Sequence, residues 1–292
     1  MSEDCNEWKE AEERLISEYK RLFTGPPEWA FPSKGWDYKA IPLVRPFPPT
    51  IPFIGKNYFT QRPRIALYAS AENLAHYERK PHTVPDFLCD ESAWNRHRAA
   101  NNEGWEKFFP RCHIGPVENG SLLTAALFIF GRLGIGSIED PSQFIEKLMV
   151  ANLGKFSVAG CLAKKPNTND DYANNKKRVE ASLPFFQMDL AILKPDWVLL
   201  PKSMLKNKAV QLCFADFLPN STLMGLPQFN SMVIRFHLAE KNKSKGEFLR
   251  KQLNGSQVET WIKKLRGYSP DEPYFYLAEI EKELEIANQN TP

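Results

Sequence analysis

The chain has 292 residues, 42% of them hydrophobic and 25% charged, which is the balance of a globular fold with a substantial core. Its longest apolar stretch, residues 122–131, ends at Arg132 and falls far short of the ~20 residues that span a bilayer, so no transmembrane helix is expected. The net charge of +3 hides a strong segregation: −2 over residues 1–150, +10 over 151–268 and −5 over 269–292.

In chain order, Trp8, Ala11, Leu15, Ile16, Tyr19 and Leu22 recur at spacings of three and four, which predicts an amphipathic helix over residues 3–23, stopped by Gly25 and Pro26. Residues 25–63 hold nine prolines interleaved with Trp29, Phe31, Trp36, Tyr38, Phe47, Phe53, Tyr58 and Phe59. Proline disfavours regular elements, yet so many rings do not suit a solvated linker, so an ordered arm wrapping the body is expected. Residues 64–69 form a short apolar run that reads as a buried first strand. Helices are expected over 85–109, over 121–133 with Ser121 as a possible cap and Gly134 and Gly136 as stops, and over 141–149. A second strand follows over 150–153. A helix over 174–193 leads through Lys194-Pro195-Asp196 to a third strand, 197–201, and a helix over 203–214 precedes a fourth strand, 231–236. Helices near 247–253, 257–265 and 276–287 close the chain.

Strands alternating with helices imply an α/β fold: a three-layer sandwich around a short, mainly parallel four-stranded sheet, with the N-terminal helix and the Pro/aromatic-rich arm added. The expected organisation is residues 1–62 as helix and arm, 63–268 as the α/β domain, and 269–292 as an acidic helix packed on it. An opening rich in acid (Glu3, Asp4, Glu7, Glu10) is unlike a secretory signal, and five widely spread cysteines without a C-x-x-C fit reduced thiols; a cytoplasmic location is expected. That spacing suggests neither a structural zinc nor an iron–sulfur site, and no cofactor is expected. There is no Walker loop, G-x-S-x-G, H-E-x-x-H or dinucleotide fingerprint. A basic block followed by an acidic tail points either to a polyanionic partner or to a solvated lysine-rich surface.

In an open parallel sheet, ligands sit at the carboxyl ends of the strands. That rule selects the segments Ala69-Ser70-Ala71-Glu72-Asn73, Asn152-Leu153-Gly154-Lys155-Phe156-Ser157, and His237 with its neighbours. Together with Asn167, Asn169 and the Lys194-Pro195-Asp196 turn before Trp197, these segments resemble the uracil-DNA glycosylase superfamily over roughly residues 63–240. The resemblance implies a nucleic-acid-directed protein, with base excision and DNA repair as the associated hydrolase chemistry. Ser70 and Ala71 occupy the places of the family's carboxylate, with Glu72 one or two positions later, and His237 lacks the proline and serine that follow it in the family. The first motif is therefore degenerate, and the catalytic residue is altered or lost.

Glycosidic cleavage leaves an oxocarbenium-like sugar and an anionic base, so it calls for a carboxylate near the sugar and donors near the base. Glu72 is the candidate carboxylate and His237 the candidate donor to the leaving base. Ser70, Asn73, Asn152 and Phe156 are the candidate base or ligand contacts, Phe156 by stacking. Lys155, Lys241, Lys243 and Lys245 are the candidate phosphate contacts. Each has a plainer alternative: a helix-start charge for Glu72, a turn or strand-end side chain for Asn152, a surface histidine for His237, a core ring for Phe156 and solvated lysines for the rest. A small nucleotide-like ligand, or an interaction module with a vestigial pocket, are the competing readings of function.

Overall fold

The computed structural model describes residues 6–24, 49, 51–71, 118–136, 144, 146–155, 176–227, 238, 241–256, 259 and 270–289. The expected helix over 85–109, that over 257–265 apart from Glu259, the strand over 231–236 and most of the proline-rich arm lie outside the described residues.

Helix α1, Glu7–Leu22, carries Glu7 and Glu10 in its first turn and Lys20 and Arg21 in its last, the distribution that complements the helix dipole. Its apolar stripe, Ala11, Leu15, Ile16 and Tyr19, is buried. The described sheet has five strands in the order β1-β3-β2-β4-β5: β1 Phe53–Ile54, β2 Ile65–Ala71, β3 Leu148–Gly154, β4 Trp197–Pro201 and β5 Thr222–Leu226. Strands β3, β2, β4 and β5 are parallel, and β1 adds an antiparallel edge through Phe53↔Val150 and Ile54↔Met149.

Every parallel strand is apolar on both sides because helices cover both faces. Ile65, Leu67, Leu148, Val150, Trp197, Leu199, Met224 and Leu226 join one core, with helices α2, Glu118–Arg132, α6, Lys243–Gln252, and α7, Glu272–Gln289. The alternate residues Ala66, Tyr68, Met149, Ala151, Leu153, Val198 and Leu200 join the other, with α1, α3, Lys176–Leu193, and α5, Lys208–Phe217. This is the expected three-layer α/β sandwich, with a mainly parallel sheet of five strands instead of four.

Three local expectations change, and a strand is added. Residues 53–54, assigned to the arm, pair with β3 as its outer neighbour. Leu148 and Met149, expected at the end of a helix, are drawn into β3 by pairing with Ile65 and Ala66. The expected helix over 203–214 is two: α4, Lys202–Leu205, and α5, split at Asn207, whose Oδ1 accepts from the amides of Ala209 at 3.0 Å and Val210 at 3.4 Å. The described strand after β4 is Thr222–Leu226, a segment whose Gly225 weakens its strand signal. A Cβ at Gly225 would meet the tip of the Leu205 side chain, so the glycine lets that side chain of α4 rest directly on β5.

The Lys194-Pro195-Asp196 turn aligns the amino ends of the strands. Lys194 takes a left-handed conformation, φ 44°, at the end of α3. Asp196 accepts from the Arg64 amide at 2.7 Å and from its guanidinium at 3.2 and 3.1 Å, while Arg64 O accepts from the amides of Asp196 and Trp197. Burial pushes the Asp196 carboxyl up, but the hydrogen bonds and charge of Arg64 outweigh this and hold it below the ordinary carboxylate range. A depressed folded value means stability that is present above about pH 4 and lost as pH falls through that value. Asp196→Asn is expected to cost about 1–2 kcal/mol at neutral pH, solvent screening included. Thermal melts across pH should show the gap between variant and parent closing in acid; a gap constant down to pH 2 would disprove the linkage.

Candidate ligand site at the carboxyl edge of the sheet

The chain steps from β2 outward to β3, then returns past β2 to β4 and continues to β5, so the winding direction reverses between β2 and β4. Right-handed crossovers then require α2 on one face and α3 and α5 on the other, as found. At such a reversal the loops leave in opposite directions and a crevice opens beyond the carboxyl ends.

The pairing shows where it opens. Strand β2 pairs with β4 only over Ile65↔Trp197, Ala66↔Val198 and Leu67↔Leu199. Beyond that point β2 stays with β3 as far as Ala71↔Gly154, and β4 stays with β5 as far as Pro201↔Leu226. Residues 68–71 and 200–201 therefore belong to two diverging halves of the sheet.

Ser70 lies on the diverging part of β2, and Asn152, half-buried, is on the neighbouring strand opposite Ala69. The fold thus brings two of the candidate ligand contacts to one edge. Asn152 has the same parity as Leu148 and Val150, which places it on the α2 face. Glu72 and Asn73, which follow β2 directly, Phe156 and His237 lie outside the described residues. Leu238, next to His237, is buried in the α2-side core.

Lys155 departs from its sequence reading as a solvent-facing phosphate contact. It is fully buried, and its ammonium donates to Asp189 Oδ2 at 2.5 Å. Its amide donates to Ser182 Oγ at 3.0 Å. Asp189 also accepts from the Tyr19 hydroxyl at 2.6 Å and from the Tyr68 hydroxyl at 3.4 Å. Both rings lie beside the ammonium, 5.6 and 5.8 Å from it. Burial pushes the Lys155 ammonium down, and Asp189 opposes this. Burial pushes the Asp189 carboxyl up, against Lys155 and the two hydroxyls. Burial and Asp189 together push both phenols well above their ordinary value. A phosphate arriving from solvent would have to displace a buried carboxylate to reach this lysine.

Asp189 was missed as a site residue, although a signal exists. Val179, Ser182, Phe186, Asp189 and Leu193 follow one another at spacings of three and four on α3, so the carboxylate falls on the helix's apolar side. A charge in that position needs a partner inside the core.

The opposite charges separated in the sequence meet in the fold. Lys245 pairs with Glu285 at 2.7 Å and Glu281 at 3.5 Å, Arg250 with Asp271 at 2.6 Å, Lys202 with Glu283 at 2.5 Å and Arg132 with Glu281 at 2.9 Å. Helices α6 and α7 approach closely, with Gly246 against the Phe275 ring. Lys245 is thus engaged by the acidic helix, whereas Lys241 and Lys243 are exposed just before and at the start of α6.

No protein-family model, curated protein or solved structure matches this chain. Its chemistry has to be argued from the site itself. Among the described residues, no group of three His, Cys, Asp or Glu side chains is placed to hold a metal ion, and no helix is long and apolar enough to cross a membrane.

Proposed function

We propose that this chain is a nucleic-acid-directed protein of uracil-DNA glycosylase-like fold, with its base-handling site at the open end between β2 and β4. The observation that supports it is the divergence of β2 from β4 after Leu67↔Leu199, with Ser70 on β2 and Asn152 on the adjacent β3 at the same carboxyl edge, on opposite faces of the sheet by their register. A carboxamide both donates and accepts, so Asn152 suits the polar edge of a base held out of its stack. Glu72, directly after β2, is the proposed carboxylate for the sugar, and His237 the proposed donor to the leaving base. Exposed Lys241 and Lys243 supply phosphate contacts along the strand.

The test is equilibrium binding of a fluorescent single-stranded oligonucleotide over a range of salt concentrations, with abasic-site formation assayed in parallel on uracil-containing and other modified strands. Each phosphate contact contributes about −0.7 to the log–log salt slope, so Lys241→Ala and Lys243→Ala should each flatten it by about that amount. Asn152→Ala should weaken binding about tenfold with little change in slope, because it removes a base contact and no phosphate contact. Glu72→Gln should remove most turnover while leaving binding nearly intact. A flat salt response in the parent protein would overturn nucleic-acid binding, and no abasic product with any base would overturn excision.

A small nucleotide-like ligand is the second reading. The capture of Lys245, Lys202 and Arg132 by α7 and of Arg250 by Asp271 just before it favours it, because these cations are already paired within the chain.

A further inference from the structure

Lys155 stands one position beyond Gly154, the last residue of β3, and three beyond Asn152. It is held at two points by the same helix: its amide by Ser182 and its ammonium by Asp189. Helix α3 is 18 residues long and packs its buried side on the sheet, so both anchor points are fixed. Asp189 is in turn oriented by Tyr19 from α1 and Tyr68 from β2, the latter being the first residue beyond the last β2–β4 pair. One carboxylate thereby ties α1, β2, α3 and the end of β3 together beside the opening. Apolar packing could fill the same volume but would not fix a direction, whereas hydrogen bonds at both ends of one residue do.

We infer that Lys155 is a positioning residue for the candidate site: anchored to Ser182 and Asp189, it fixes the carboxyl end of β3 and with it the placement of Asn152, Tyr19 of α1 completing the device. This rests on the reading of the β2–β4 opening as the ligand site. Lys155 acts through Asn152 and makes no ligand contact of its own.

Amide hydrogen exchange on the full-length chain tests the inference without any ligand, since local opening and global unfolding give different patterns. Two variants are compared with the parent. The first is Tyr19→Phe, a small lesion on a different element. The second is Lys155→Met/Asp189→Leu/Tyr19→Phe/Tyr68→Phe, which replaces the whole cluster by apolar groups and so leaves no unpaired charge. In the fourfold variant, exchange at residues 151–155 should rise at least tenfold relative to residues 197–200, and in Tyr19→Phe it should rise severalfold at the same amides. An equal rise in both strands, or none at 151–155, would mean that the cluster contributes only general stability and would overturn the inference. If the fourfold variant does not fold, Tyr19→Phe decides by the same criterion.

Oligonucleotide binding by the same variants separates the two claims. A tenfold loss of affinity at unchanged melting temperature supports positioning, and unchanged affinity with loosened 151–155 amides refutes any link to the site. Absence of binding by the parent protein refutes the nucleic-acid reading alone, and the exchange ratio then decides the positioning.

Discussion

Asp189→Ala is expected to destabilise the protein by about 3–5 kcal/mol, because it takes the paired carboxylate away from a buried ammonium. Lys155 and Asp189 are both fully buried, so water cannot take over the lost interaction without opening the core. The Tyr19 and Tyr68 hydroxyls lose their acceptor at the same time. Their rings offer the ammonium a partial substitute worth about 2 kcal/mol. Set against a total stability of about 5–15 kcal/mol, this is a severe lesion for one side chain. Asp189→Asn should cost less, since the carboxamide oxygen still accepts from Lys155. Urea titrations of the three proteins give the comparison directly. A loss below about 1 kcal/mol for Asp189→Ala would show that Lys155 reaches solvent or another carboxylate, and the buried pair would then not be the anchor described.

Phe186→Ala should cost a similar amount, about 3–5 kcal/mol, through a different mechanism. The ring is completely buried at the junction of three elements: it meets Tyr68 of β2 edge-on at 4.9 Å and Phe214 of α5 at 5.5 Å. Truncation leaves a cavity between helices α3 and α5 and the sheet, which their backbones cannot close without breaking the ladder on the other side. Phe186→Leu keeps most of the apolar volume and should cost less than half as much. Because Tyr68 rests on this ring, the alanine variant should also loosen the hydroxyl contact to Asp189, so its effect should be less than additive with Asp189→Ala. Strict additivity in a double-variant cycle would show that the aromatic contact and the buried pair are independent.

The strands β2, β3 and β4 were legible because residues buried on both faces leave continuous apolar runs, bounded here by Pro63 and by the Lys194-Pro195-Asp196 turn. The first and last helices were legible from their periodicity, to within a few residues at their ends. Strand β5 was not. Thr222-Leu-Met-Gly-Leu is short and contains a glycine whose value lies in the approach of Leu205, a contact invisible along the chain. The two-residue β1 was hidden among prolines for a related reason: its strand character comes wholly from its partner β3.

The same division runs through the candidate site. Local patterning is enough to place Ser70 and Asn152 near strand ends, since a continuous apolar run and the small or polar residues that follow it are properties of the segment itself. Lys155 looks like a surface cation because no carboxylate stands within eight residues of it; its partner is 34 residues away on α3, and the hydroxyls come from α1 and β2. The +10 block likewise looked available until Lys245 and Arg250 on α6 met Glu285, Glu281 and Asp271 in and just before α7. The sequence by itself thus determined which segments are apolar enough to be buried and which residue types stand at their ends, because these depend on composition and short-range period. Only the tertiary structure decided which charges are spent internally and where the sheet opens, because both depend on partners distant along the chain, brought together when the two faces of the sheet are covered.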